Sequence, residues 1–432
     1  MKTVPDRPIA LVNARLIDPE KGYDGPGGVL VADGRMAALG PKVTADAMPG
    51  SARIIDCAGR VLAPGLIDSR VFVGEPGYEH KETLASASQA AAAGGVTTIL
   101  VMPNTRPVID SVSLVEYIAR RRGDDILVNL HPMAAATKNL EGREMTEIGL
   151  LTQAGAVAFS DGRQAVADAA VLWKILKYGR MFNALVVQHA AEPSLSTGVM
   201  NGGELATRLG LSSQSPYAEL IQVERDIRLA EATGGRIHFA DVTTAAALNV
   251  IRAAKAAGLP VTCGVTPPHF ALNELAVGDY RTFAKLSPPL RTEEDRQAVV
   301  AALKDGIIDV IASGHDPQDP ESKRLPFALA EYGAVGLETL LPVSLDLYHN
   351  GHLSLLQVVD LLTRRPARLF GLPGGRLAEG APADIVVFDP DVAVRIDPDQ
   401  FKSKSKNTPF DGRPAQGKVH LTLVGGRIVY ET

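Results

Sequence analysis

The chain has 432 residues and a formal net charge of −5. That length holds one large domain with an attachment or two ordinary domains, and a 46% hydrophobic content supplies a substantial core. The mild acidity removes any electrostatic case for nucleic acid or an anionic membrane as partner. The two cysteines, Cys57 and Cys263, lie far apart without metal-ligand spacing and read as buried thiols of a reducing compartment. The opening Met1-Lys-Thr-Val-Pro-Asp-Arg-Pro8 has no apolar core of a signal peptide and no membrane span, so a cytoplasmic location is expected.

From Ile9 to about residue 60 the sequence runs in short apolar segments broken by turns, including Gly28-Val-Leu-Val-Ala-Asp-Gly34 and Arg53-Ile-Ile-Asp-Cys57. Such runs, with an Asp-Gly turn, predict a small β unit. Ala383 to Asp389 and Val419 to Tyr430 have the same texture, so the two termini are expected to share one β-sandwich module, residues 1–60 with 373–432. Between them, over residues 61–372, apolar strands alternate with longer helical segments. Val61 to Asp68 reads as one buried strand. Further strands are predicted at Thr97 to Met102, Leu127 to His131, Ala156 to Ser160, Leu185 to His189, Arg236 to Ala240, Val261 to Val265 and Val310 to Ala312. Helices are predicted at Glu82 to Ala93, Leu114 to Arg122, Pro216 to Thr233, Thr244 to Ala257 and Thr292 to Lys304. This alternation indicates a parallel α/β domain, and the number of units favours a (β/α)8 TIM-type barrel over an open sheet.

The chemistry concentrates where these strands end. A barrel strand presents alternate residues to one side, so a His-x-His pair at its end can grip one metal ion. After Pro64-Gly-Leu-Ile-Asp68 those positions hold Arg70 and Phe72. Surroundings suited to hydrolysis are present without the first two ligands.

The successive segments Pro64 to Asp68, Glu75-Pro-Gly77, Lys81-Glu-Thr83, Met102-Pro-Asn-Thr105, Ala158-Phe-Ser-Asp161, Gln188-His-Ala190, Ser287-Pro-Pro-Leu-Arg291, Gly336-Leu-Glu-Thr339 and Asn407-Thr-Pro-Phe410 resemble, in order, the landmarks of the dihydroorotases of the amidohydrolase superfamily. The resemblance covers nearly the whole chain. It implies a (β/α)8 barrel with a β module made from both termini. It also implies a role in pyrimidine biosynthesis, interconverting carbamoyl aspartate and dihydroorotate at a zinc site.

Residue by residue, the carry-over is uneven. The family's His-x-His pair falls on Arg70 and Phe72, the arginine that grips substrate carboxylate on Gly74, and a later ligand histidine on Asp241. Its catalytic aspartate falls on Gly314, and two further positions fall on Pro268 and Ser287. Asp161 and His189 match metal ligands, Asn104 matches a substrate contact, and His269 and His315 survive. Losses therefore gather at functional positions while framework segments remain. The expected remnant pocket contains Asp68, Arg70, Phe72, Asn104, Asp161, His189, Asp241 and His315, with no catalytic residue. Arg70 is expected to pair with Asp161, Asp241 or Asp68, because buried carboxylates otherwise lack a counter-charge. Phe72 is expected to fill space. Asp316 is too far along the chain to replace the lost aspartate, and His269 and His131 read as satisfied structural groups.

These losses predict a dihydroorotase-like protein without catalysis and without a cofactor. The family then implies an assembly role with aspartate carbamoyltransferase, as a hetero-oligomer or homo-oligomer. The alternative is an active cyclic amidohydrolase whose reduced zinc site uses Asp161, His189 and Asp241. A small-molecule sensor is a third class that no sequence feature specifically supports.

Overall fold

The computed structural model describes residues 7–121, 123 and 125–432. The reading of the first six residues and Arg122, the last residue of a predicted helix, lie outside the described residues. Eight parallel strands form the central sheet: β1 (Leu66–Val71), β2 (Val96–Val101), β3 (Asn129–Ala134), β4 (Ala158–Ser160), β5 (Leu185–Gln188), β6 (Arg236–Phe239), β7 (Val261–Val265) and β8 (Val310–Ile311). Each pairs with its sequence neighbour. A parallel bridge between Val71 and His315 brings the two edges together, so the sheet closes on itself as a barrel.

The major helices follow the strands in turn: α1 (Leu84–Ala93), α2 (Val112–Arg120), α3 (Ile148–Ala154), α4 (Ala169–Gly179), α5 (Tyr217–Thr233), α6 (Ala245–Ala256), α7 (Glu293–Lys304) and α8 (Leu340–His349). The predicted starts at Thr244 and Thr292 are caps, each side chain accepting from a backbone N–H of the first turn. Thr83 does the same for α1 within a capping box. The third strand runs from Asn129 to Ala134 and not from Leu127 to His131. Leu127 lies before it, its N–H donating to Ser88 Oγ at 3.2 Å.

Apolar residues of the strands meet inside the barrel: Ile67, Leu100, Met133, Leu185 and Val187 pack with Ala367 and Phe370 of the helix Arg364–Phe370. His238 of β6 lies against the Phe370 ring, with centroids 6.1 Å apart. The helical layer packs on the outer faces through residues such as Leu84, Val115, Leu172 and Ile251.

The run from Val61 to Asp68, expected as one strand, is two strands in two sheets. Val61–Pro64 pairs with Ile385–Arg395 and with Ile9–Asp18 in an eight-stranded sheet drawn from both termini, whereas β1 starts at Leu66. The change of sheet occurs at Gly65, where a Cβ would lie 2.2 Å from the Thr97 side chain, so only glycine lets the backbone pass. The Asp-Gly turn is present at Asp33 and Gly34, both with positive φ, joining Tyr23–Ala32 to Arg35–Gly40. Both cysteines are buried and free. Among the described residues no helix is long and apolar enough to cross a membrane.

Candidate functional site

The ends of β1, β2, β4, β5, β6, β7 and β8 and the turns after them converge on the mouth of the barrel. At its floor Arg70 Nη1 donates to Asp241 Oδ2 in an ion pair, with Asp241 wholly buried and the Arg70 side chain about 10% exposed. Burial lowers the Arg70 guanidinium to about 10, which leaves it charged near neutrality. Of the three expected partners, Asp241 takes the side chain. Asp68 does not take the guanidinium: its Oδ1 accepts from Arg70 N at 3.2 Å and Ser313 N at 3.0 Å. Asp161 accepts from Thr137 N at 2.9 Å and from Thr137 Oγ1. Burial raises the carboxyls of both Asp68 and Asp161 above their ordinary value.

Phe72 is buried and tilts against Tyr78 with ring centroids 6.2 Å apart. Asn104 packs against the backbone after Asp161; a Cβ on Gly162 would meet its side chain at 2.9 Å. His189 contacts Ser287 Oγ through Nε2 at 3.1 Å, and its Nδ1 has no hydrogen-bond partner among the described residues. Burial, with Arg70 adding positive charge, lowers this imidazole to about 3 and keeps it neutral.

His315 turns to another side. Its Nδ1 accepts from Gly336 N at 3.2 Å, and its Nε2 lies 3.6 Å from Glu82 Oε2. Glu82, wholly buried, also accepts from the Ser403 hydroxyl and Lys404 N, so the C-terminal segment is fastened beside the mouth. The eight expected pocket residues do not share one pocket. Arg70, Phe72, Asn104 and His315 line a cavity of only ≈ 30 Å³, whereas His189 lines a separate hollow and Asp68, Asp161 and Asp241 line neither. A small-molecule site is ordinarily about 300–1,000 Å³. Arg70 and Phe72 are both buried and line the space that remains.

Backbone shape agrees with the two glycine positions. Gly314 has φ +64° and a Cβ there would meet Thr266 Cγ2 at 2.8 Å; Gly74 has φ +83° with Tyr78 O at 2.9 Å. An aspartate at the first or an arginine at the second would be strained in this backbone. Asp316 does not stand in: it pairs with Arg163 at 3.1 Å and accepts from Gln318 at 2.9 Å. His269 is satisfied on both nitrogens, by Thr266 Oγ1 at 2.7 Å and Pro288 O at 3.0 Å.

The donor set does not fit zinc. Such a site needs at least three protein ligands around one point, with a position left for water. Here Asp161 is engaged on both oxygens by Thr137 and Asp241 Oδ2 by a guanidinium; the atoms left without a partner are Asp241 Oδ1, Asp68 Oδ2 and His189 Nδ1, and neither aspartate lines a cavity shared with His189. Among the described residues no group of three or more His, Cys, Asp or Glu is arranged to hold a metal ion.

Sequence reasoning missed two features. Glu219, wholly buried, receives Thr243 N at 2.9 Å and Thr244 N at 2.8 Å and faces Arg291 at 3.5 Å, which also binds Asn201. Arg291 of the Ser287–Arg291 landmark thus braces the framework. Arg163, two residues after Asp161, lies between both hollows; its position after a strand end was the available signal.

Buried neutral histidines make stability depend on pH. Burial lowers His238 and His189 to about 3 and His269 to about 4, from an ordinary 6.5. Below about 6.5 the unfolded chain takes protons that the folded chain refuses, so their contribution is full above that pH and lost as pH falls toward 3–4. His238, bonded to Thr262 Oγ1 at 2.9 Å, lies away from the mouth. Replacing it in His238→Asn should flatten the stability–pH slope between about pH 4 and 6 by up to about 1.4 kcal/mol per pH unit. Urea unfolding across that range measures this, and an unchanged slope would contradict it.

The architecture defines the class first: this is an amidohydrolase-type barrel. It superposes on L-hydantoinase (dihydropyrimidinase) from Arthrobacter aurescens with a TM-score of 0.88 at 27% identity, covering 98% of this chain and 96% of that one. Dihydropyrimidinase from Brevibacillus agri NCHU1002 shares the fold at a TM-score of 0.84 and 24% identity, covering 98% and 95%. Family models described as "Dihydro-orotase-like" and "Amidohydrolase family" match residues 59–246 and 331–430. The chain is 43% identical to a dihydroorotase of Anaplasma phagocytophilum over 98% of this chain and 95% of the relative, and 41% identical to one of Syntrophus aciditrophicus over 98% and 99%. It belongs to the dihydroorotase family.

Proposed function

We propose that this protein is a dihydroorotase-family member that does not hydrolyse cyclic amides and serves as an assembly subunit for aspartate carbamoyltransferase. The single observation that carries the loss of hydrolysis is the Arg70–Asp241 ion pair at the barrel floor. A fixed cation there repels a metal ion, takes a carboxylate ligand and, with Phe72, leaves ≈ 30 Å³ of space. Metal-assisted attack needs an open coordination position and a carboxylate to move the proton. Gly314 supplies no such carboxylate. The partner follows from the family resemblance, in which inactive homologues support the transferase of the preceding step.

The second reading, an active amidohydrolase, is favoured by one finding: relatives 41–43% identical over nearly their whole length are named dihydroorotases. One pair of measurements separates the two. The purified protein, mixed at micromolar concentration with the transferase of the same organism, should co-elute with it in size exclusion and raise its activity. Separate elution, with a transferase fully active alone, would refute the assembly role. Metal-dependent turnover of dihydroorotate would establish the second reading.

A further inference from the structure

The segment from Leu325 to Gly333 follows the short helix Pro320–Arg324 and walls the barrel mouth, with Glu331 and Tyr332 on one hollow and Gly333 on the other. Its outer side shows Leu325 and Leu329 to solvent. Its inner side hangs on two buried lysines. Lys285 Nζ donates to Ala328 O at 3.0 Å and Ala330 O at 2.6 Å, and it lies 4.5 Å from the centre of the Tyr332 ring and 5.8 Å from that of Phe327. Lys323 Nζ donates to Glu331 O at 2.6 Å. Carbonyls 328, 330 and 331 thus all end on amines, and the segment stays shut while both side chains stay inside.

The two amines differ in what supports a charge on them. Lys285 has two carbonyls and two ring faces. Lys323, 3% exposed, has one acceptor for three possible donors and makes no ion pair among the described residues. Asp316 and Glu331 face it with negative charge, Lys285 and Arg163 with positive charge. Asp316 is already paired with Arg163 at 3.1 Å, and Glu331 is exposed. On the helix of Lys323 itself, the exposed Glu321 and Arg324 pair with each other at 3.2 Å. Burial therefore dominates and brings the amine from its ordinary 10.5 down to about 7.

We propose that Lys323 is a proton-sensitive latch: the segment from Leu325 to Gly333 shuts over the barrel mouth with this amine neutral and loosens when the amine takes a proton. Opening returns the side chain to water and to its ordinary value, so between about 7 and 10.5 the open segment holds a proton that the shut one lacks. Closure strengthens as pH rises through that window, and this contribution is lost as pH falls through about 7. The latch is independent of whether the barrel hydrolyses anything.

Hydrogen exchange of the full-length protein, with each rate divided by the intrinsic rate at the same pH, reads the opening through the amides of Leu329, Ala330, Glu331 and Gly333. All four are bonded to carbonyls in the shut segment. Their protection should rise about tenfold from pH 7.5 to 8.5 and be level below about pH 6.5. Amides of α6 should show no such rise, since the buried histidines give their full contribution above about 6.5. Lys323→Met keeps an apolar stem without a proton and should abolish the rise. Asp316→Asn removes a facing negative charge and should move the rise to lower pH, which tests the latch even where Lys323→Met fails to fold. Protection that stays flat or falls from pH 7.5 to 8.5, a rise that persists in Lys323→Met, or a rise left in place by Asp316→Asn would overturn it.

Discussion

Protein loaded with zinc and then desalted should retain far less than one equivalent of metal and show no metal-dependent hydrolysis of dihydroorotate. A bound structural zinc contributes about 10–16 kcal/mol of apparent binding free energy, so its removal by a chelator would lower the melting temperature sharply. Here chelation should leave the melting temperature unchanged, because the charge that a metal would supply at the floor comes from Arg70. Of the carboxylates that remain, Asp161 is engaged by Thr137 and Asp241 Oδ2 by that guanidinium. Elemental analysis with thermal melts before and after chelation checks this. A stoichiometric metal content with a chelator-sensitive melt would refute it.

Arg70→Met should destabilise the protein by about 3–5 kcal/mol, since it strands Asp241 as an uncompensated buried charge. The double variant Arg70→Met with Asp241→Leu removes both charges and should return to within about 2 kcal/mol of the parent, as replaced buried pairs do elsewhere. The single variant thus measures the cost of an orphaned carboxylate, and the cycle measures the coupling. Urea denaturation of the four proteins gives both numbers. If Arg70→Met and Asp241→Leu are additive, the pair is not the counter-charge of the floor.

Much of the frame was legible because local chemistry wrote it. Thr244 and Thr292 mark helix starts whether or not they are counted inside the helix, and apolar runs such as Val261 to Val265 carry buried parallel strands directly. Errors fell where a local pattern serves two masters. Val61 to Asp68 is continuously apolar, so nothing in its pattern reveals that Val61–Pro64 joins one sheet and Leu66–Val71 another. The strand at Asn129 was placed two residues early because Leu127 and Val128 are apolar without belonging to it. Glu219 and Arg291 could not be matched by inspection, since 72 residues separate them.

The sequence alone determined the barrel, the shared terminal sheet and the family, because repeated strand–helix units and ordered landmarks survive in one dimension. It also marked Arg70, Phe72, Gly74, Asp241 and Gly314 as departures at the positions where chemistry was expected. Only the tertiary structure decided what those departures do together. Arg70 and Asp241 are 171 residues apart in the chain, and three aspartates were open to that guanidinium until folding brought one of them against it. Folding likewise split the expected pocket, sending His315 to Glu82 and His189 to the hollow beside Arg163. Charge pairing and cavity shape depend on which strand ends meet, and that is a property of the closed barrel.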